Sequence, residues 1–303
     1  MLNNLTDDNH SSIPIVILAG KSALDLWLKK QPKRVKNWVL ASGFEANSGT
    51  TCLIANVSGN LEMVLGGAGD KKPVDLWWWS AICNNLPEGN YRLDGCLDVE
   101  EASQAALGWA LAGYNFALYS SGKTEKSGPI LVWPKNCDRQ HVSRTVQSTF
   151  LVRDLINTPA NDMGPSQLED SARSLAKKFN AKCRVIVGEE LLEANFPAIH
   201  AVGRASVNAP RLIDIKWGKG TDPKVTLVGK GVCFDSGGLD LKSAAGMKLM
   251  KKDMGGAANV LGLATMIMDA VLPIQLRVLV PAVENSVSGN AMRPSDILTM
   301  RNG

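Results

Sequence analysis

The sequence predicts an α/β fold: a smaller N-terminal α/β domain, then a C-terminal α/β/α domain with a mostly parallel central sheet. Short apolar stretches alternate with helical stretches, which is the order of a layered α/β fold. The 303 residues are 45% hydrophobic, enough for two cores. One long helical stretch, 138–157, stops at Thr158-Pro159 as an interdomain connector would. The predicted limits are 1–137 for the N-terminal domain, 138–162 for the linker helix and 163–303 for the C-terminal domain.

In the predicted N-terminal domain, a buried strand at 14–19 is followed by a helix at 23–30. Another helix is predicted at 99–112, because Asp98 stands where a helix N-cap prefers aspartate. Strands and helices therefore interleave in this domain. The remaining predicted elements are strands at 38–41, 51–57, 61–65 and 130–133 and a helix at 73–83.

The predicted C-terminal domain alternates in the same way, and its strands are continuously apolar or alternate apolar with polar residues. Such strands separated by helices favour a parallel sheet, and ligands of open α/β sheets collect beyond the carboxyl ends of the strands. Lys230 and Asp235 are predicted at such an end, after a buried strand at 225–228. The other predicted elements are helices at 166–179 and 257–270 and strands at 183–187, 212–217 and 274–280.

Composition excludes several classes of protein. The net charge of +4 is too weak to indicate a nucleic-acid-binding protein. No apolar run approaches the roughly 18 residues of a membrane span, and the polar N-terminus does not resemble a signal peptide. Six cysteines are spread along the chain without a CxxC pair, which is typical of reduced thiols. We therefore expect a cytoplasmic protein without membrane or nucleic-acid partners.

The segment 225–261 holds the residues with the clearest chemical meaning. Lys230, Asp235, Lys242 and Asp253 stand among glycines between apolar elements, where ordinary surface residues are not expected. Carboxylates are hard oxygen ligands, and one aspartate can bridge two cations about 3.5–4 Å apart. An amine binds a metal only when it is neutral, and desolvation after a buried strand would favour that form of Lys230. The spacing predicts a metal site and leaves the reaction open.

The same segment resembles the leucyl aminopeptidase family, the M17 cytosolic aminopeptidases. Members carry VGKG-x-x-FDSGG, a lysine and M-x-x-DMGGAA, found here at 228–238, at Lys242 and at 250–258. The stretch 281–299 is similar to the family's PA-x-EN-x-x-SG-x-A-x-RPGD, with Ser295 in place of the usual glycine. The stretch 153–165 resembles the entry into the catalytic domain. The likeness covers roughly residues 145–303.

The resemblance implies a role for each matching residue. Lys230, Asp235 and Asp253 match metal-ligand positions, with Asp235 bridging two divalent cations, Mn²⁺ or Zn²⁺. Lys242 matches the lysine that polarises the scissile carbonyl. Met250 falls where the family lines its pocket for the N-terminal side chain of the substrate, although ordinary core is an equally good interpretation. The implied function is a two-metal aminopeptidase that removes leucine-like N-terminal residues from peptides, and the implied assembly is a homo-oligomer, a hexamer in the family.

The resemblance breaks off at the end of the sequence. Members continue with an N-T-D-A-E-G-R motif, whereas this sequence ends at Arg301-Asn302-Gly303. Asn-Gly is a strong hairpin-turn signal, and here no returning strand follows it. We therefore expect a C-terminally truncated chain with an incomplete sheet, an open sheet edge and little or no peptidase activity by itself.

Two other classes of function stay open from the sequence. One is a non-catalytic family member or fragment that acts as an oligomeric scaffold or a DNA-binding accessory protein. The other is a small-molecule binding module that uses the α/β cleft without hydrolysis. Retention of both lysines and both aspartates argues against the second, since metal chemistry is what needs all four.

Overall fold

A computed structural model describes residues 2–70, 74–120 and 128–300. The chain forms two compact units, Met1–Val146 and Gln147–Gly303. The division falls inside the long helix Arg139–Asn157, which the sequence predicts as a linker helix. The first residue of the helix predicted at 73–83 and the hairpin signal at 301–303 lie outside the described residues.

The first unit contains a six-stranded sheet in the order β1-β6-β5-β2-β4-β3. All neighbouring strands are parallel except β3, which runs antiparallel to β4. The strands are β1 (Leu5–Thr6), β2 (Ile13–Leu18), β3 (Thr51–Ala55), β4 (Leu61–Gly67), β5 (Gly89–Asp94) and β6 (Pro129–Val132). The helices are α1 (Gly20–Lys29), α2 (Lys33–Ala41), α3 (Leu76–Asn84) and α4 (Val99–Ala112), and α5 (Arg139–Asn157) begins in this unit and ends in the second.

Helices α1 and α2 pack on one face of this sheet. Leu24 of α1 and Val35 and Val39 of α2 are buried together with Ile54 and Leu65 of the strands. Helix α3 meets the opposite face, and it crosses α4 closely at Gly108, where a β-carbon would lie 2.4 Å from the Leu76 carbonyl oxygen. The Asp98 carboxylate accepts a hydrogen bond from the Glu101 amide, so the predicted cap of α4 is confirmed.

The strand predicted at 38–41 is wrong, because these residues end α2 instead. Val35 and Val39 stand four residues apart and are both buried, which is the spacing of a helix face. Four consecutive apolar residues are too short a stretch to show the helical period of about 3.6 residues. The sequence also missed β5, whose residues GNYRLD are mostly polar, and the two-residue strand β1.

The second unit contains a five-stranded sheet. Four strands run in the same direction, and only β8 is reversed. The order is β10-β11-β8-β7, with β9 pairing with β11. The strands are β7 (Lys182–Val187), β8 (Arg211–Trp217), β9 (Lys224–Val228), β10 (Gly231–Asp235) and β11 (Gln275–Asn285). The helices after α5 are α6 (Pro165–Lys178), α7 (Glu190–Glu193), α8 (Pro197–Gly203), α9 (Ala244–Met247), a 3₁₀ helix (Met250–Met254) and α10 (Gly255–Asp269).

Helix α10 corresponds to the helix predicted at 257–270, and it is largely buried. Eight of its fifteen residues are buried, and with α6 it covers one face of the sheet. Gly262 allows a close crossing with α5, since a β-carbon there would lie 2.5 Å from Val152 Cγ2. Helix α8 lies on the other face, where Gly203 approaches Val283. The mostly parallel, three-layered second unit predicted from the sequence is confirmed.

Two further observations concern predicted exclusions. No helix among the described residues is long and apolar enough to cross a membrane. All six cysteines are free thiols, and three of them, Cys52, Cys83 and Cys233, are buried.

Candidate metal centre

Lys230 lies in the short break between β9 and β10, two strands that follow one another along the same edge of β11. Strands β9 and β10 both pair in parallel with β11, and the register is the same directly before and after the break. It shifts by one residue within β10, between Val232 and Phe234. The Gly229 amide donates to the Leu279 carbonyl, 3.0 Å away, which keeps the two halves aligned. A β-carbon on Gly229 would lie 2.5 Å from Val260 Cγ2, so glycine is what lets α10 approach the break.

The start of α10 rests directly on Lys230. The Ala257 amide donates to the Lys230 carbonyl at 2.9 Å, and a β-carbon on Gly256 would lie 2.9 Å from the Lys230 nitrogen. This contact brings the preceding 3₁₀ helix, which carries Asp253, alongside the lysine. Lys230 Nζ lies 2.8 Å from Asp253 Oδ2.

One oxygen of the Asp253 carboxylate is buried without a hydrogen bond, which is uncommon for a charged group. Its Oδ2 atom is shielded from solvent and has no hydrogen-bond partner. The Lys230 amine is within ion-pair distance, but its angles do not meet hydrogen-bond geometry, so the contact is electrostatic only. A carboxylate oxygen shielded from solvent needs a nearby positive charge, which the Lys230 amine supplies here and which a bound cation could supply as well.

Asp235 ends β10 and is held from three sides. The Gly237 amide and the Asn285 Nδ2 both donate to Oδ1, at 3.0 and 2.8 Å, while Lys242 Nζ lies 3.1 Å from Oδ2. Burial by itself would raise the pKa of Asp235, but the hydrogen bonds from Gly237, Lys242 and Asn285 outweigh it and hold the pKa below its ordinary value. The carboxylate is therefore kept ionised.

A tight loop returns Lys242 to Asp235. Gly237 adopts a φ of +89°, where a β-carbon would lie 2.2 Å from the Asp240 carbonyl oxygen. The Lys242 amide then donates to the Ser236 carbonyl at 3.0 Å. The glycines of the predicted motif therefore serve to fold the loop back on the end of β10.

The structure places the four predicted polar residues in two lysine–carboxylate pairs, Lys230 with Asp253 and Lys242 with Asp235, joined by the short strand β10. Within the described ranges, no group of three His, Cys, Asp or Glu side chains is suited to a metal. The groups that could bind a cation here are the carboxylates of Asp235 and Asp253 and the amine of Lys230. Met250 opens the 3₁₀ helix three residues before Asp253 and is half-buried.

One expectation about Lys230 is wrong. The sequence predicts a buried strand before it and a desolvated amine, but none of the residues of β9 is buried and the Lys230 side chain is 58% exposed. Lys230 also lies at the break between β9 and β10, so only Asp235 occupies the carboxyl end of the completed strand. The reason is that β9 has β11 on one side and alternates half-buried with exposed residues. The Lys230 amine is therefore not desolvated.

Sequence reasoning missed Asn285 as a site residue. It ends β11 opposite Asp235, and its amide is a direct partner of the carboxylate. The available signal was its position at the end of an apolar strand inside the stretch 281–299. The short strand β10 was missed as well, because its glycine-flanked sequence reads as a loop.

A cavity of about 590 Å³ lies in the first unit, near the N-terminal ends of α3 and α4. Trp77, Trp79 and Glu101 are among its lining residues. None of the five predicted site residues lines it, so it is distinct from the residue set described above.

Two family models match the chain. The catalytic domain of the cytosol aminopeptidase family, Peptidase M17, matches residues 150–303, and the M17 aminopeptidase N-terminal domain matches residues 13–132. The chain belongs to the M17 cytosol aminopeptidase family. The family consists of metal-dependent hydrolases that act as aminopeptidases on peptides, as the sequence motifs predict.

Relatives of the chain are named as probable cytosol aminopeptidases. The chain is 44% identical over 161 residues to a probable cytosol aminopeptidase of Xanthomonas axonopodis pv. citri, covering 52% of this chain and 33% of the relative. It is 35% identical over 221 residues to a probable cytosol aminopeptidase of Brucella suis, covering 67% of this chain and 44% of the relative. The matched part thus spans between a third and a half of these relatives.

Solved M17 structures share the fold. The cytosol aminopeptidase of Coxiella burnetii superimposes with a TM-score of 0.87 at 44% identity, covering 97% of this chain and 64% of that one. The bottromycin maturation enzyme BotP in complex with Mn gives a TM-score of 0.75 at 28% identity, with coverages of 97% and 64%.

Proposed function

We propose that this chain carries the cation-binding part of a metal-dependent aminopeptidase that removes leucine-like N-terminal residues from peptides. The observation that carries the proposal is the Asp253 carboxylate, whose buried Oδ2 lacks a hydrogen bond and faces the Lys230 amine at 2.8 Å. The second pair, Lys242 with Asp235, lies at the other end of the same short strand. Membership of the M17 family supports this assignment.

The donor set fits a divalent cation. Carboxylate oxygens suit Mn²⁺ and Zn²⁺, and an amine becomes a ligand once the cation displaces its proton. Lys230, Asp235 and Asp253 would hold the metals, two in number and Mn²⁺ or Zn²⁺ in kind. The relative solved with Mn supports manganese as one candidate.

When bound, the cations would activate a water molecule and polarise the scissile carbonyl. The protein's own groups supply orientation and charge. Asp235 stays ionised because its hydrogen bonds outweigh its burial. Lys242 is tethered beside it and can turn its amine to the carbonyl oxygen of the peptide, where it stabilises developing negative charge. Met250 is proposed to contact the N-terminal side chain of the substrate.

The proposal also includes the partners, the location and the domain organisation of the chain. The partners are peptides and further copies of the chain, in a hexamer by analogy with the family. A cytoplasmic location is supported by the names of the relatives. The domain limits 1–137, 138–162 and 163–303 and the weak activity of the 303-residue polypeptide stay predictions. The comparisons do not favour the alternatives, a scaffold or DNA-binding accessory protein or a binding module.

The test has two parts. Calorimetry measures the binding of Mn²⁺ to the purified chain, and a hydrolysis assay measures cleavage of a leucyl peptide with and without Mn²⁺ or Zn²⁺. Asp253→Asn is expected to weaken Mn²⁺ binding by at least tenfold, because it removes a charged ligand. Asp170→Asn, a change of an exposed aspartate on α6, serves as the matched control and is expected to bind as the unaltered chain does. Equal Mn²⁺ affinity of the Asp253→Asn and Asp170→Asn variants would refute the proposal.

A further inference from the structure

Asn285 occupies the last position of β11, directly opposite Asp235 at the end of β10. Its side-chain Nδ2 donates to Asp235 Oδ1 at 2.8 Å. Its backbone carbonyl accepts from both the amide and the hydroxyl of Ser236, at 3.0 and 2.8 Å. One residue therefore holds the aspartate and also the residue that follows it.

We propose that Asn285 is the positioning residue of the metal centre, which fixes the rotation of the Asp235 carboxylate so that Oδ1 is anchored and Oδ2 alone faces Lys242. This inference rests on the proposed function, since it gives Asn285 a part in cation binding. It concerns a residue that acts through Asp235 and does not itself touch substrate.

The need for such a residue follows from the chemistry of aspartate. The terminal torsion of a carboxylate is broad and nearly two-fold, so its two oxygens exchange places easily unless something distinguishes them. Here Asn285 Nδ2 and the Gly237 amide both donate to Oδ1, while Lys242 is on Oδ2. Removing the asparagine leaves the Gly237 amide as the donor to Oδ1 and Lys242 on Oδ2, so one of the two contacts that distinguish Oδ1 is lost. Groups that orient metal-binding side chains through a hydrogen bond typically change metal affinity about 10- to 100-fold.

The orientation of the Asn285 amide is itself determined. If the amide were reversed, its oxygen would face the Asp235 carboxylate, and two acceptors would repel each other. In the observed orientation the amide oxygen points to Gly238, where a β-carbon would lie 3.0 Å from it. Gly238 has a φ of +69°, so the loop can pass close to the amide only with glycine at this position.

The strand end that carries Asn285 is also held firmly. The preceding residue, Glu284, is only 3% exposed and accepts a hydrogen bond from the Ser206 hydroxyl at 2.9 Å. Arg293 forms an ion pair with the same carboxylate. Asn285 therefore acts from a fixed base, which is what a positioning residue requires.

The experiment compares Asn285→Ala with Asn290→Ala, a change of an exposed asparagine five residues further along. Mn²⁺ is titrated into each 303-residue variant, and the spectrum of bound Mn²⁺ is recorded by electron paramagnetic resonance. Asn285→Ala is expected to raise the dissociation constant for Mn²⁺ about 10- to 100-fold and to alter the spectrum. Asn290→Ala is expected to change neither.

A second measurement needs no metal. Hydrogen exchange of the β10 amides is followed in Asn285→Ala, Asp235→Ala and the double variant. Asn285→Ala is expected to lower protection roughly tenfold when Asp235 is present and hardly at all when it is absent. Equal effects in both backgrounds would overturn the inference, as would unchanged Mn²⁺ affinity and spectrum in Asn285→Ala. If the unaltered chain bound no Mn²⁺, the proposed function would fail first, and the exchange data would still decide whether Asn285 orients Asp235.

Discussion

Arg293 joins two buried carboxylates in the second unit, and removing its charge is expected to destabilise that unit strongly. Its guanidinium contacts Glu284 through Nε and lies 3.4 Å from Asp296 Oδ2. The side chains of Arg293, Glu284 and Asp296 are only 10%, 4% and 2% exposed, respectively. Hydrogen bonding to Glu284 outweighs burial and raises the pKa of Arg293 above its ordinary value, so the arginine stays charged.

The magnitude follows from this burial. Arg293→Met keeps most of the aliphatic stem but leaves two buried carboxylates without their cation, which costs about 3–5 kcal/mol in the free energy of unfolding. The matched control is Arg277→Met. Arg277 makes an equally good two-bond contact with Asp214, at 3.0 and 2.9 Å, but its side chain is 46% exposed. An exposed pair of this kind contributes only about 0–1 kcal/mol.

The assay is hydrogen exchange read by mass spectrometry on the β11 amides, with the β4 amides of the first unit as an internal reference. Arg293→Met is expected to lower β11 protection between roughly 10²- and 10⁴-fold, and Arg277→Met less than about tenfold. Adding Glu284→Gln to Arg293→Met is expected to recover part of the loss, because it removes an unpaired buried charge. Similar losses in the two arginine variants, or no recovery with Glu284→Gln, would refute this reasoning.

Three further predictions concern the second unit. Gly229→Ala is expected to cost about 1–3 kcal/mol and to weaken Mn²⁺ binding, because the added methyl group overlaps α10. Gly220→Ala, which meets open space, is the control, and urea unfolding and calorimetry compare the two. Leu261→Ala in the core of α10 is expected to cost about 2–5 kcal/mol in urea unfolding, whereas Leu263→Ala on the exposed side of the same helix should cost far less; equal costs would contradict the packing. Glu169 carries a lowered pKa, because hydrogen bonds from two arginines outweigh its burial. Its contribution to stability is therefore complete above its ordinary pKa of 4.5 and is lost as the pH falls through the lowered value; E169Q should remove that part of the acid sensitivity of the urea midpoint.

Most helices and strands were predicted from local sequence patterns. Apolar periodicity and the Asp98 cap predicted α4, α6 and α10 to within about two residues, because such signals act over a few turns of chain. The same locality explains the errors. A four-residue apolar window cannot distinguish the end of α2 from a strand, and the polar strand β5 has no periodic signal of its own.

The sequence by itself determined the family, the alternation of strands and helices, and the four charged residues worth testing, since these depend on short motifs and nearest neighbours in the chain. Only the tertiary structure decided how those residues pair. That Lys230 meets Asp253 depends on the start of α10 packing against the break between β9 and β10. That Asn285 anchors Asp235 depends on β10 lying beside β11, fifty residues further along. Sheet register over such a distance is set by the packing of the whole unit, and no local spacing contains it.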